Sequence, residues 1–264
     1  MAISTWDGFI GSAKQPQSMA KTASRTAVAA NWFSVFDLAG NPGAGTLAGT
    51  STTTGVVPTD ATAGCPTINA FGASATGYLA QVDFGSSVAC RLKLFDLLWK
   101  GGAFAFNASV SGSSPASFSS RVAGGTDYTD TQIWLEQVTA GTGNQNVNVT
   151  YTNQAGTTGR STGTVATAAN IVGRMWQLPL QAGDTGVQGV TGVVGTVATA
   201  GTFNILVLRP LWSGRCRTAN DGDVHDLAKT GMPIIYADSA LFLAVAADST
   251  ATGIPELELV IANG

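Results

Sequence analysis

The chain has 264 residues, of which 13 are Lys or Arg and 16 are Asp or Glu, so charged residues make up 11% and the net charge is −3. An ordinary soluble domain carries about 25% charged residues. With 44% hydrophobic residues and six tryptophans, the composition excludes a disordered chain, and the negative net charge argues against non-specific binding to nucleic acid.

The apolar segments of the chain are short. There is no run of about 18 apolar residues, so we expect no membrane-spanning helix. The start, MAISTWDGFIGSAKQ, has neither the basic leader nor the apolar segment of a signal peptide, and we expect synthesis in the cytoplasm. Because a lone monomer keeps itself dispersed with surface charge, so few charges favour a subunit that covers much of its surface with neighbouring chains.

Residues 1–27 differ from the rest of the chain. Positions 12–25 are polar, carry three of the basic residues and lack the alternation of a strand, while Trp6, Phe9 and Ile10 supply apolar anchors. We predict an N-terminal arm over 1–27 that packs on a neighbouring subunit, followed by one β-sandwich domain over 28–264. The alternative is a short strand or helix folded onto its own domain.

One segment has the pattern of a short amphipathic helix. Ser86 and Ser87 can cap a run over 88–100 (VACRLKLFDLLWK) that ends at two glycines. At helical spacing Leu94, Leu97 and Leu98 share one face. We therefore expect a helix of about three turns that packs on a sheet.

Most other segments have the pattern of strands. Residues 145–152 alternate most clearly, and 141–144 between two predicted strands have the composition of a hairpin loop. Residues 40–64, rich in Gly, Thr, Ala and Ser, indicate an extended surface loop. We predict a mainly β fold, an antiparallel β-sandwich of jelly-roll type. The predicted strands are 31–38, 77–84, 131–139, 145–152, 157–165, 174–180, 203–211, 234–236, 240–246 and 257–262.

The segment 220–226 (NDGDVHD) gathers three aspartates, Asp221, Asp223 and Asp226, beside the single histidine, His225. Such a set can hold a divalent cation. A calcium loop that starts at Asp221 needs Gly at its sixth position and Glu at its twelfth, where this sequence has Asp226 and Met232. We therefore favour a solvated loop that leads into a short helix ending near residue 229, and we predict no metal site.

Two further patterns have a catalytic interpretation. Residues 159–163 (GRSTG) match the nucleophile elbow around Ser161, but their flanks have the pattern of strand and turn instead of a strand followed by a helix. A catalytic carboxylate pair needs two carboxylates close together in space, and the chain has three glutamates. Glu256 and Glu258 alternate on a predicted strand and are expected to face solvent as a charged sheet edge. Glu136 is then the one remaining glutamate, and it has no glutamate with which to form a pair. We predict no catalytic residue, no cofactor and no enzyme activity.

The cysteines and tryptophans are predicted to be structural. Three cysteines without a C-x-x-C pair indicate reduced, buried thiols and no zinc site, and their positions are Cys65, Cys90 and Cys216. Most tryptophans are expected in the core. A carbohydrate-binding β-sandwich is the alternative, and it needs an exposed platform at Trp99, Trp134 or Trp212.

Several short strings resemble virion structural proteins of tailed bacteriophages, over residues 90–264. They are TYTNQAGTTGR at 150–160, WQLPLQAGDTGVQGV at 176–190, NILVLRPL at 204–211 and DSALFLAVA at 238–246. The resemblance implies a capsid decoration (cement) protein: β-rich, poor in charge, commonly trimeric, and bound to the outer capsid face where several major capsid subunits meet.

Three alternatives stay open beside this prediction. Another virion part, such as a collar, head-fibre base or tail component, has the same sequence character. The second is the glycan-binding sandwich, and the third is a metal-dependent hydrolase centred on His225. The expected partners of the favoured interpretation are the major capsid protein and further copies of this chain, a trimer by preference, and neither nucleic acid nor a membrane.

Overall fold

The structure is a computed structural model that describes residues 3, 5–73, 75–107, 109–111, 115–168, 171–195 and 200–264. It contains two short helices, α1 (Trp6–Gly11) and α2 (Leu227–Thr230), and a single 3-10 turn at Ser119–Arg121. Within these ranges no helix has the length and apolar character needed to span a membrane. In chain order the strands are β1 (Ala13–Lys21), β2 (Trp32–Ser34), β3 (Gly40–Asn41), β4 (Ser51–Val56), β5 (Gly77–Ser86), β6 (Cys90–Ala105), β7 (Ser109–Ser111), β8 (Gln132–Thr139), β9 (Gln145–Asn153), β10 (Arg160–Ser161), β11 (Val165–Thr167), β12 (Arg174–Leu178), β13 (Val187–Gly195), β14 (Thr202–Cys216), β15 (Asp221–His225), β16 (Ile234–Ile235), β17 (Leu241–Ala247) and β18 (Pro255–Asn263).

The central sheet closes on itself. Its strands pair in the order β14, β8, β12, β2, β17 and β6, and β6 pairs again with β14 along its whole length. Strand β4 adds to the free end of β6. Because a closed ring leaves few unpaired backbone groups at its edges, it makes a rigid body for the rest of the chain.

Two further antiparallel sheets flank this ring. One has the order β15, β5, β18, β1 and β3, with β16 also on β5, and the other has the order β10, β9, β13 and β7, with β11 also on β9. The mainly β, antiparallel prediction is confirmed. The predicted jelly-roll sandwich is not confirmed, since the middle layer is a closed ring.

Three apolar cores hold the layers together. All six ring strands supply side chains to one cluster, which includes Phe95, Trp134 and Phe242 and fills the inside of the ring. A second cluster joins the outside of the ring to β5, β18 and β1, and a third joins it to β9 and β13. The ring strands therefore bury both faces.

The predicted helix over 88–100 is wrong, because these residues form most of β6. Leu94 packs in the core toward β5, Leu97 lies inside the ring, and Leu98 packs in the core toward β9. A strand buried on both faces has an almost continuous apolar sequence, which periodicity cannot distinguish from a buried helix. The pairing with β14 is interrupted by bulges, so alternation is also lost.

Most predicted strands are confirmed, including β8, β9, β12, β14, β17 and β18. On β9 the side chains of Val147, Val149 and Tyr151 are buried and the intervening ones are half-buried, which confirms the predicted alternation. The predicted hairpin at 141–144 is wrong: β8 belongs to the ring and β9 to a flanking sheet, so this turn connects two layers.

The N-terminal segment is integrated into the fold. Strand β1 lies between β18 and β3, with Met19 in the core, so residues 13–21 follow the alternative of a segment folded onto its own domain and not the predicted arm. The predicted loop over 40–64 contains β3 and β4. Its backbone accepts hydrogen bonds from Lys100 and Asn204, which hold it against one end of the ring.

Candidate functional site

The predicted loop around His225 is wrong, because residues 221–225 form edge strand β15 beside β5. His225 Nδ1 accepts a hydrogen bond from Trp212 Nε1 at 2.9 Å, and its ring packs edge-on against Phe84. Asp226 accepts bonds from two backbone N–H groups of α2, so the predicted short helix is confirmed. Among the residues that the structure describes, no group of three or more His, Cys, Asp and Glu side chains is arranged to hold a metal ion.

The GRSTG segment contains β10, and its Arg160 belongs to a hydrogen-bonded cluster around Asp184 that we call the clamp at Asp184. Arg160 donates two hydrogen bonds to Asp184, at 2.9 and 3.0 Å, and Tyr151 and Asn153 each donate one at 2.7 Å. The bonds from Arg160, above all, lower the pKa of Asp184 to about 2, and burial raises the pKa of Tyr151 to about 12. Ser161 Oγ meets the Asn148 side chain at 3.0 Å. The strand and turn interpretation of this segment is therefore confirmed.

The three glutamates are not brought together. Glu256 and Glu258 are exposed on one face of β18, as predicted, but β18 lies between β5 and β1, so the prediction of a charged sheet edge is wrong. Glu136 is fully buried. Its Oε2 accepts a hydrogen bond from Asn204 at 2.7 Å and lies 3.9 Å from the Lys100 ammonium.

The cysteines are buried, as predicted, and five of the six tryptophans lie in or against the core clusters, three of them buried and two half-buried. The thiols of Cys65, Cys90 and Cys216 are free, and burial raises the pKa of each. Trp99, Trp134 and Trp212 are at most 6% exposed, so they cannot form the surface platform that the glycan-binding alternative needs.

Sequence reasoning missed a buried charge centre at Asp96. This carboxylate is fully buried and accepts hydrogen bonds from Arg121, Arg209, the Ser239 hydroxyl and the Ala240 N–H, at 2.9 to 3.1 Å. Arg121, also fully buried, donates further bonds to three backbone carbonyls. The signal in the sequence is an aspartate inside the apolar run over 88–100, a segment for which a helix was predicted.

An exposed apolar surface lies at the N-terminal helix. Thr5 caps α1 by accepting a bond from Gly8 N at 3.0 Å, and this short helix presents Trp6 at 66% and Ile10 at 71% exposure. Trp6 and Phe9 also line a cavity of about 250 Å³ that reaches Leu227. A tryptophan and an isoleucine this exposed within one turn are typical of a contact surface for another molecule. We call Trp6, Phe9 and Ile10 the N-terminal apolar patch.

Comparisons with known proteins give no family. The chain matches no protein-family model, and no curated protein sequence matches it. Two solved structures are weakly similar: infectious bursal disease virus Gx strain, at 11% identity and TM-score 0.16, and the VP2 subviral particle of the same virus, at 9% and 0.15. They cover 95% and 96% of this chain and 80% of each virus chain. At such TM-scores these likenesses carry no argument about this chain.

Proposed function

We propose that this chain is a structural virion protein of a tailed bacteriophage that binds the outside of the capsid and stabilises it across subunit seams. The proposal includes no catalytic activity. The observation that carries it is the N-terminal apolar patch, in which Trp6 and Ile10 are more exposed than any other large apolar side chain that the structure describes. The resemblance of residues 90–264 to phage virion proteins supplies the class of partner.

The exposed side chains of the patch can contribute binding free energy when a partner covers them. Burial of apolar area contributes about 25 cal/mol per Å², so covering one large side chain contributes about 1.5–3 kcal/mol. Trp6 and Ile10 together supply a contact of moderate strength. A homotrimer engages three such patches at once, and multivalency then raises the overall affinity without new contacts. We therefore propose attachment as a trimer to the major capsid protein.

The test is binding to particles of the phage that encodes the chain. Particles that lack the protein are mixed with purified chain, sedimented, and the bound copies are counted. We expect saturable binding in hundreds of copies per particle. Saturation at a few to some dozens of copies would instead identify a collar, fibre-base or tail component, and no co-sedimentation at any concentration would refute a virion-binding role.

Variants test the part played by the patch. Trp6→Ser with Ile10→Ser is expected to weaken binding to particles at least tenfold while leaving thermal stability unchanged, because both side chains are exposed. Val172→Ser is the control, since it removes an apolar side chain that is 41% exposed and lies outside the patch. Equal binding by all three proteins would show that the patch is not the contact.

A further inference from the structure

A groove at one end of the ring concentrates positive charge. It has a volume of about 670 Å³ and lies where β6 begins and β14 ends. Four of the chain's thirteen Lys and Arg residues and its single histidine line it, with Asp223 as the lining carboxylate. We call this surface the cationic groove, and its basic residues are Arg91, Lys93, Arg215, Arg217 and His225.

Three of these five basic side chains have no carboxylate partner among the described residues. Arg91 and Arg215 stand directly opposite each other on β6 and β14, an arrangement of like charges that destabilises a sheet. Arg215 lies 3.8 Å from Asp248, and both side chains are largely exposed. Within the described ranges, Arg91, Lys93 and Arg217 form no ion pair with a carboxylate.

An indole forms part of the groove wall. Arg91 and Lys93 lie over the Trp32 ring, at 5.5 and 4.9 Å from its centroid. Burial, together with the neighbouring Arg91, lowers the pKa of Lys93, so the ammonium is held where its charge is disfavoured. Because the two cations already cover this indole, it is a poor platform for stacking a nucleobase, which disfavours nucleic acid as the occupant.

A second groove on the same chain has the opposite charge. It has a volume of about 560 Å³ on the outer face of β5 and β18, and we call it the acidic groove. Asp83 and Glu258 stand directly opposite each other there, so it too contains a like-charged cross-strand pair. Its four carboxylates form no ion pair with the described cations, and they are Asp83, Asp221, Glu256 and Glu258.

We infer that the cationic groove of one copy binds the acidic groove of a second copy of this chain. The two grooves are similar in size and opposite in net charge, so they are complementary in charge, and together they hold nine of the chain's 29 Lys, Arg, Asp and Glu side chains. Such a contact joins two different surfaces, so repeated association gives a closed cyclic oligomer when the rotation between neighbouring copies permits closure. The inference rests on the homo-oligomer of the proposed function and names its contact surfaces.

The experiment is a charge swap measured by light scattering over a dilution series. Arg91→Glu with Lys93→Glu reverses the cationic groove, and Glu256→Lys with Glu258→Lys reverses the acidic groove. We expect each double variant to self-associate at least tenfold more weakly than the natural chain. The chain with all four substitutions is expected to recover association. High salt should weaken the natural complex, because exposed charges are screened over about 3 Å at 1 M salt.

Controls separate this contact from general charge effects and from misfolding. Thr157→Glu with Thr158→Glu adds negative charge to an exposed loop outside both grooves and is expected to associate normally. If a reversal variant does not fold, Arg91→Gln with Lys93→Gln and Glu256→Gln with Glu258→Gln replace it, and each should weaken association.

Three outcomes would overturn the inference. They are a monomeric natural chain at every concentration in low salt, a reversal variant that associates normally, and folded four-site variants that stay dissociated. A chain that remains monomeric yet binds particles would refute this contact and leave the proposed function standing. A chain that forms the oligomer but does not bind particles would refute the proposed function and leave this contact standing.

Discussion

Strand β6 carries charged residues in two contrasting surroundings. Asp96 and its partner Arg121 are fully buried, and every oxygen of the carboxylate is hydrogen-bonded. Three to five residues earlier, Arg91 and Lys93 line an open groove with no carboxylate partner among the described residues. The buried charges at Asp96 have partners of opposite charge, because an unpaired buried charge is very unfavourable. Arg91 and Lys93 in the cationic groove have no such partner in the described part of the chain and are available to bind another molecule.

The largest expected effect comes from removing the buried carboxylate. Asp96→Ala leaves the guanidinium groups of Arg121 and Arg209 without their counter-charge inside the protein. We expect the free energy of unfolding to fall by about 3–5 kcal/mol, measured by denaturant titration. Asp83→Ala, at an exposed carboxylate, is the matched control and should leave stability nearly unchanged. If Asp96→Ala lowers the free energy of unfolding no more than Asp83→Ala does, the buried charge centre at Asp96 does not stabilise the ring.

A second buried polar contact lies at Asn204, at the end of the ring opposite the cationic groove. Asn204 accepts a bond from Gly49 N at 2.8 Å and donates to Leu47 O and to Glu136. Asn204→Ala leaves a buried carboxylate and the segment 46–49 with fewer partners, and we expect a loss of about 1–3 kcal/mol in denaturant titration. If stability is unchanged, the segment over 40–64 does not depend on this contact.

The clamp at Asp184 gives a pH dependence of known sign. Its pKa in the folded chain is lowered to about 2 by the bonds from Arg160, so the carboxylate stabilises the fold above the ordinary aspartate pKa and less as the pH falls toward 2. We expect natural chain and Asp184→Asn to differ in unfolding free energy at pH 6 and to converge as the pH approaches 2. A difference that stays constant over this range would contradict the assignment.

The smallest expected effect is at the acidic groove. Asp83→Asn removes one member of the like-charged pair with Glu258, so the isolated chain should be as stable as the natural protein or more stable by about 0.2–1 kcal/mol. Thermal unfolding at low concentration and low salt measures this. A clear loss of stability would mean that Asp83 contributes to the fold through a favourable contact.

The comparison also shows how far the sequence alone predicts this molecule. Strands with one buried face, such as β9, are predicted correctly because their alternation is visible. Strand β6 is not, since both faces are apolar and bulges break its period. The charge centre and both grooves could not be predicted, because Arg121, Arg91 and Glu258 meet their neighbours only through pairings between distant segments.

The most direct test of this account compares two arginines. Arg121→Gln and Arg91→Gln remove the same group, and each guanidinium donates to at least one backbone carbonyl. We expect a loss of about 3–5 kcal/mol in unfolding free energy for Arg121→Gln and a change within about 0.5 kcal/mol for Arg91→Gln. Equal losses from both variants would contradict the division between charges that hold the fold and charges left free for a partner.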